Sequence, residues 1–383
     1  MRKNFLVFGK PYIGEDEIKE VEATLRSGWW GTGPKTEQFE NEFKAYETTK
    51  YAISVNSATA GLHLALKVLG VGPGDEVITT PLTFVSDANV IVHCGAKPVF
   101  ADVDTNTWNI DPKEIEKKIT KKTKVIMPVH LHGRPCNMDS ILKIAKKYKL
   151  FVVNDAAHAV EAKYHGKKIG SMNDLSVFSF YVTKNLATGE GGMITTNNKK
   201  YAQELSVWRL HGLSRDAWKR YSVKHFSLYE AMVPGFKYNL TDIASSIGIH
   251  QLRRIEKNLK VRAKIWGMYD EAFKGEKLLT LPAPIEKNTR HAMHLYAILL
   301  DLKKLKVNRN EFVDGLIKEN IGSGVHFAPI HLQPYYRKTF GYKKGDFPNS
   351  EYVGERILSL PLGANLTKSD TQSVIGAVKK VLK

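Results

Sequence analysis

The feature that most constrains the fold is a regular alternation of short apolar runs with helical segments between Tyr51 and Thr196. Runs such as YAISV (51–55) and LFVVND (150–155) are short and rich in β-branched or aromatic residues, so they predict buried strands. A segment such as 58–69 has helical spacing instead. Strands that alternate with helices predict a largely parallel sheet covered by helices on both faces. The predicted strands are 51–55, 76–80, 97–103, 124–129, 150–155, 175–180 and 192–196.

The pattern changes after a long helical segment near 250–274, where strands and helices stop alternating regularly. The loss of regular alternation predicts a smaller α+β domain at the C-terminus. We therefore expect a large domain over residues 15–250, a small domain over 251–383 and an N-terminal arm over 1–14. The elements predicted after the long helical segment are strands at 294–300 and 324–328 and helices at 308–319, 350–358 and 367–382.

Composition excludes several classes of protein. Lys and Arg number 57 and Asp and Glu 39, which gives a net charge of +18. The basic residues are dispersed and form no nucleic-acid-binding motif, so the charge favours attraction of anionic substrates over nucleic acid. Cys94 and Cys136 are too few for a disulfide framework, and no apolar run reaches the roughly 18 residues that span a bilayer. We expect a soluble, cytoplasmic protein with no nucleic-acid or membrane partner.

Side chains with useful chemistry follow several of these strands, at the sheet edge where α/β proteins bind ligands. Ser57, Ala58 and Thr59 begin a helix, whose free N–H groups favour a phosphate, although Ser57 is equally explained as a plain helix cap. Phe84 offers a ring for stacking, although a lone Phe is more often a core residue. His130 and His132 have a metal-like spacing but lack further ligands, so we expect no metal.

Two charged residues indicate which kind of ligand the site could bind. Asp155 ends a predicted strand beside small alanines, where its carboxylate can pair with a positively charged nitrogen. Lys184 lies among apolar and glycine residues between two strands, and burial lowers the pKa of a lysine and makes its amine a nucleophile. A phosphate site, an aromatic ring, an acid and a buried lysine are together what pyridoxal phosphate (PLP) requires.

Motifs over nearly the whole chain also indicate a PLP enzyme. The most specific of them is FSFYVTKNLATGEGGMITT (178–196). Further matching segments are SGWWGTGPKTEQFE (27–40), VNSATAGLHLAL (55–66), DEVITTPLTFVS (75–86), VVNDAAHA (152–159), PGFKYNLTDIASSIG (234–248) and GVHFAPIHLQPYY (324–336). In these segments the chain resembles the DegT/DnrJ/EryC1/StrS sugar aminotransferases. The resemblance implies PLP-dependent transferase fold type I, like aspartate aminotransferase. It also implies a mostly parallel seven-stranded sheet in the large domain and a homodimer with shared active sites.

The resemblance also assigns roles to residues. Lys184 would form the Schiff base with PLP, and Asp155 would pair with the pyridine nitrogen; these two are the catalytic residues. The cofactor-binding residues it implies are Ser57, Ala58, Thr59, Phe84, Asp155, His158, Ser179, Lys184 and, reaching the neighbouring subunit, Asn239. The candidate substrate contacts are Trp30, Thr32, Tyr181, Glu190, His326 and His331. His132 and Arg134 depart from the residues frequent in the family, which leaves contacts near 130–135 open.

The run HGLSRDAWKRY (211–221) is similar to members that aminate C4 of nucleotide-linked keto sugars. The resemblance therefore predicts transfer of the amino group of L-glutamate to a nucleotide-linked 4-keto-6-deoxy sugar, for surface polysaccharide or glycan biosynthesis. Alternatives are a C3-keto sugar aminotransferase and a non-catalytic PLP-binding regulator of the same fold. A nucleic-acid-binding protein is a third alternative, which only the net positive charge suggests.

Overall fold

A computed structural model describes residues 3–213 and 230–383 of the chain. Its strands up to residue 196 are β1 (Tyr51–Val55), β2 (Glu76–Thr79), β3 (Lys97–Phe100), β4 (Thr123–Ile126), β5 (Phe151–Asp155), β6 (Lys163–Tyr164), β7 (Lys167–Lys168), β8 (Leu175–Ser179) and β9 (Gly192–Thr196). Seven of them form one sheet in the order β1-β9-β8-β5-β4-β2-β3. Within it only β9 runs antiparallel to its neighbours, β1 and β8. The predicted fold class is confirmed.

The described helices are α1 (Glu15–Arg26), α2 (Pro34–Glu47), α3 (Ala58–Val68), α4 (Ser86–His93), α5 (Pro112–Lys118), α6 (Met138–Tyr148), α7 (Lys199–Trp208), α8 (Asp242–Arg253), α9 (Ile255–Phe273), α10 (Arg309–Lys318), α11 (Pro334–Phe340), α12 (Pro348–Arg356) and α13 (Lys368–Val381).

The burial of strand β8 explains why its sequence is apolar throughout. Val177 packs into the core on the α3 side of the sheet. Phe178, its neighbour, faces α2, where its ring lies 5.1 Å from that of Phe43. Both faces of the strand are therefore buried.

A second, antiparallel sheet lies in the C-terminal part of the chain. It consists of β10 (Leu279–Thr280), β11 (Tyr296–Leu300) and β12 (Ile357–Leu360). Its core includes Tyr269 and Phe273 of α9 and Val374 of α13. Leu6 joins that core from the N-terminal segment and pairs with Ile321. The proposed boundaries at residues 15, 250 and 251 stay a prediction.

Some elements differ from expectation. The glycines of GWWGTGPK (28–35) predict a loop, yet Pro34 begins α2, a position that suits its fixed φ and missing N–H. Residues 324–328 form no strand, and Gly324 makes only an isolated bridge to Ser359. Ser359 belongs to strand β12, whose first two residues lie within the helix predicted at 350–358. The helical pattern at 241–274 is two helices, α8 and α9, that meet at Arg254.

Helix α1 presents the opposite face to the one expected. The spacing of residues 15–27 predicts a helix with Ile18, Val21 and Leu25 on one face, yet the side chains of Ile18 and Leu25 are 52% and 44% exposed. The buried side instead carries Glu17, whose carboxylate pairs with Arg254 and accepts a hydrogen bond from Gln251. A paired carboxylate tolerates burial, and the apolar face of α1 is left uncovered in the single chain.

Within residues 3–213 and 230–383, no helix is both long and apolar enough to cross a bilayer. The same residues contain no group of three His, Cys, Asp or Glu side chains arranged to hold a metal ion. Cys94 and Cys136 are both buried and unpaired.

Candidate active site

A cavity of about 470 Å³ lies at the carboxyl edge of the seven-stranded sheet. Strands β1, β2, β5 and β8 run in the same direction, so the loops that follow them meet at this edge. The structure brings most of the predicted site residues into its wall. They are Ser57, Ala58, Thr59, Phe84, Asp155, His158, Ser179, Tyr181, Lys184, Glu190 and His326.

One end of the cavity is the N-terminus of α3. The side chain of Ser57 caps this helix and accepts a hydrogen bond from the backbone N–H of Ala60 at 3.1 Å. The N–H groups of Ala58 and Thr59 have no carbonyl to bond to within the helix, because the first turn lacks one. The Ser57 cap and the phosphate site are thus compatible, and this end suits a phosphate group.

Gly192 lies close against the N-terminus of α3. A Cβ at this position would lie 2.8 Å from the backbone nitrogen of Ala58 and 2.9 Å from the carbonyl oxygen of Phe178. We expect Gly192→Ala to displace the end of α3 and weaken phosphate binding, since such overpacking costs roughly 1–3 kcal/mol. The dissociation constant for PLP, measured by fluorescence titration, should rise about tenfold.

Gly376→Ala in α13 is the matched control, because no atom lies within 4 Å of the added Cβ. It should stabilise the helix by about 0.5–1 kcal/mol and leave the PLP affinity unchanged. Unchanged PLP affinity in Gly192→Ala would contradict the assignment of α3 as the phosphate end.

Asp155 lies at the end of β5, deep in the cavity wall. Its side chain is only 6% exposed, and one oxygen accepts the backbone N–H of Ala157 at 2.8 Å. Burial raises the pKa of this carboxyl, while the N–H of Ala157, a neighbouring acid and the charge of Lys184 lower it. A buried carboxylate with so few partners is suited to pairing with a cation.

Lys184 lies in the turn between β8 and β9, where its backbone N–H donates to the carbonyl of Tyr181 at 2.8 Å. Burial lowers the pKa of its amine to about 8, and the neighbouring acids Asp155 and Asp87 oppose this shift. This agrees with the expectation that the lysine is desolvated. About one amine in ten is then neutral at pH 7, far more than for an exposed lysine.

The lowered pKa predicts how cofactor capture depends on pH. Only the neutral amine condenses with an aldehyde, so the rate of covalent PLP binding to the cofactor-free enzyme should rise about tenfold from pH 6 to pH 7. It should level off above pH 8, near the pKa of Lys184. Stopped-flow absorbance measures this rate, and pyridoxine phosphate, which lacks the aldehyde, is the control. A rate that still climbs steeply between pH 9 and 10 would contradict a desolvated amine.

His158 is held in one orientation by its neighbours. Its Nδ1 accepts the backbone N–H of His132 at 3.2 Å, so Nε2 carries the hydrogen of the neutral ring. Burial, followed by the charge of Lys184, lowers the pKa of His158 well below its ordinary value. The ring also packs 4.4 Å from that of His294. As a neutral ring, His158 can therefore donate a hydrogen bond from Nε2 to a group in the cavity.

The open side of the cavity is aromatic. Phe84 is 56% exposed, which is unlike a core residue, and its ring lies 5.9 Å from that of Phe327. Tyr181 is 45% exposed on the same wall. Exposed rings at a cavity mouth are suited to stacking on a flat ligand.

Four predicted residues lie outside the cavity wall. Trp30 is 56% exposed, and its indole N–H donates to the carbonyl of Leu25 at 3.0 Å. Asn239 donates to the hydroxyl of Thr32 at 2.6 Å, so these two residues bind each other. His331 is fully buried, and its Nε2 lies 3.0 Å from a carboxylate oxygen of Glu351. The structure does not bring His331 to the cavity.

The residues near 130–135 have structural partners. The Nε2 of His132 lies 2.9 Å from the carbonyl oxygen of His326, and thus links the two sides of the cavity. Arg134 forms an ion pair with Glu286 at 2.6 Å. His132 therefore supports His158 and His326.

Sequence reasoning missed three residues at the site: Asp87, His294 and Phe327. Asp87 is fully buried beside Asp155 and Lys184. The position of this acid in the first turn of α4, in a segment that follows strand β2, was a signal that could have found it. His294 and Phe327 flank His158 from the C-terminal part of the chain, and only the tertiary fold shows this.

These residues fit a phosphorylated pyridine aldehyde. The start of α3 suits the phosphate, Asp155 the ring nitrogen and Lys184 the aldehyde, all within the wall of one cavity. Asp155, which is buried, and Lys184, which is partly buried, also provide the opposite charges that such a ligand needs in a low-dielectric site.

The chain is similar to known proteins over its whole length. It is 54% identical over 382 residues to an uncharacterized protein of Methanocaldococcus jannaschii, covering 100% of this chain and 99% of that one. It is 50% identical to the spore coat polysaccharide biosynthesis protein SpsC of Bacillus subtilis, covering 100% and 98%. Among solved structures, a Streptococcus pneumoniae protein described as a sugar aminotransferase, Spr1654, in its PMP form, superposes with a TM-score of 0.91 at 34% identity, covering 98% of each chain. The sequence profile of one family matches residues 11–379. The chain therefore belongs to the DegT/DnrJ/EryC1/StrS aminotransferase family.

Proposed function

We propose that this chain transfers the amino group of L-glutamate to C4 of a nucleotide-linked 4-keto-6-deoxy sugar, and that the 4-amino sugar enters a surface polysaccharide or glycan. The chain is a PLP-dependent transaminase. The observation that carries the proposal is the meeting of Lys184, Asp155 and the start of α3 in one cavity. The sugar substrate is supported by the descriptions of SpsC and Spr1654.

Each of these cavity residues has a separate role in the proposed reaction. Bound PLP supplies a ring that takes up the electron pair left on the donor carbon. Asp155 holds a proton on the ring nitrogen, and Lys184 Nζ carries a proton between the reacting carbons because its lowered pKa lets it both accept and release one. The N-terminus of α3 holds the phosphate, and His158 donates a hydrogen bond from Nε2.

The cavity of a single chain is short of positive charge for these ligands. Among the described residues that line it, Lys184 is the only lysine or arginine. The cofactor, glutamate and a nucleotide-sugar all carry negative charge. We infer that a second copy completes the site, with Asn239 reaching the neighbouring cofactor. The uncovered apolar face of α1 supports such a homodimer, and sedimentation equilibrium tests it.

The run 214–221, on which the preference for C4 partly rests, lies outside the described residues. The sugar is therefore tested directly. A panel of nucleotide-linked keto sugars is incubated with enzyme and glutamate, the products are detected by mass, and NMR locates the new amine. We expect amination at C4; an amine at C3 would support the alternative regiochemistry. A nucleotide-sugar that is never aminated, despite glutamate discharging the cofactor band, would overturn the sugar assignment.

A further inference from the structure

The first turn of α4 contains a carboxyl group that the proposed reaction does not use. Asp87 is 0% exposed, and its Oδ2 accepts a hydrogen bond from the hydroxyl of Thr83 at 2.6 Å. Its Oδ1 is also buried and finds no donor among the described residues. A carboxylate is costly to bury with a single hydrogen bond, so this group requires an explanation.

The explanation lies in the neighbouring acid. The side chains of Asp87 and Asp155 are within hydrogen-bond reach of each other. Two carboxylates in contact repel each other when both are ionised, and one proton between them removes the repulsion and makes a hydrogen bond. A shared proton would also give the Asp87 side chain a second hydrogen bond beside the one from Thr83.

The surroundings decide which acid keeps the proton. Asp155 is stabilised as an anion by the N–H of Ala157 and the facing charge of Lys184. Burial first, and then the charge of Asp155, raise the pKa of Asp87 well above its ordinary value, and the Thr83 hydroxyl and the charge of Lys184 oppose them. The other titratable group that faces Asp87 is Tyr336, whose hydroxyl is neutral and donates to Asn89 at 2.5 Å. The proton therefore belongs on Asp87.

We propose that Asp87 is a neutral carboxylic acid that donates a hydrogen bond to Asp155 and holds it, as an anion, in position for the ring nitrogen of the cofactor. Asp87 is thus a positioning residue, which acts through Asp155. The cofactor part rests on the proposed function, whereas the protonated acid is a property of the cofactor-free chain.

Two substitutions at Asp87 separate this role from simple packing. In Asp87→Asn, the amide N–H₂ replaces the acid O–H as donor to Asp155, and the amide oxygen still accepts from Thr83. Asp87→Leu fills similar space without a donor. We expect the dissociation constant for PLP to stay within about threefold in Asp87→Asn and to rise about tenfold or more in Asp87→Leu.

Infrared spectroscopy of the cofactor-free enzyme tests the proton itself. At neutral pH we expect the carbonyl stretch of a protonated carboxylic acid that disappears in Asp87→Asn and persists in Asp314→Asn, an exposed control. If no such band exists, or if Asp87→Asn binds PLP as poorly as Asp87→Leu, the proposal is overturned. Should the Leu variant not fold, the band and the Asn variant still decide. A wild-type protein that shows the band but binds no PLP would refute the proposed function and leave the acid pair intact.

Discussion

Lys184→Ala should reduce the rate of amine transfer on the order of 10³-fold or more and remove the absorbance of the covalently held cofactor. Lys184 is the sole amine among the described side chains of the cavity wall, and burial lowers its pKa to about 8. No other described residue of the cavity wall has an amine that could form the Schiff base. Steady-state kinetics with glutamate measures the first effect and absorbance the second.

Lys168 provides a matched control for Lys184. Lys168 is a buried lysine that pairs with Glu47 at 3.4 Å and lies outside the cavity wall. Lys168→Met should lower thermal stability, because the buried Glu47 loses its partner, yet keep the cofactor absorbance. Borohydride trapping and peptide mapping should place the label on Lys184. A label elsewhere, or turnover by Lys184→Ala, would overturn the site.

Asp155→Asn is expected to lower kcat on the order of 10²-fold while the fold is kept. An amide has the shape of the carboxyl but lacks the negative charge that keeps a proton on the ring nitrogen, so the ring becomes a poorer electron acceptor. PLP affinity should also fall, because an opposite charge is lost from a buried site. Kinetics and a PLP titration measure the two effects.

The comparison with Asp87→Asn tests whether Asp155 is the acid that acts as an anion. The two acids are neighbours, yet the same isosteric change should be harmful at Asp155 and nearly neutral at Asp87, because only Asp155 acts as an anion. Equal losses in both variants would mean that the two carboxyls share the charge, and would contradict the division of roles. Retained kcat in Asp155→Asn would remove Asp155 from the mechanism.

Much of the sheet and its edge was predictable because strand and loop chemistry are local. The run LSVFSF is apolar on both faces, and β8 is covered on both faces. Lys184 stood out because a lysine among apolar residues is unusual in any fold. The helix α2 was missed because its start follows a glycine-rich loop, and β12 because its residues continue the helical spacing of α12.

Other features depend on contacts between distant parts of the chain. The buried face of α1 follows from the pairing of Glu17 with Arg254, some 240 residues away, and not from its own apolar spacing. The contact between Asp87 and Asp155 joins residues from different strand–helix units. His331 is similar: only the fold shows that it binds Glu351 instead of facing the cavity.

The two sides of the cavity come from separate stretches of chain. The phosphate end, Asp155 and Lys184 all follow strands within residues 51–196, whereas His326 and Phe327 come from a segment beyond residue 320. This separation makes the enzyme modular for engineering. A substitution at Phe327 should therefore reshape the wall opposite Phe84 while Asp155, Lys184 and the start of α3 keep their places.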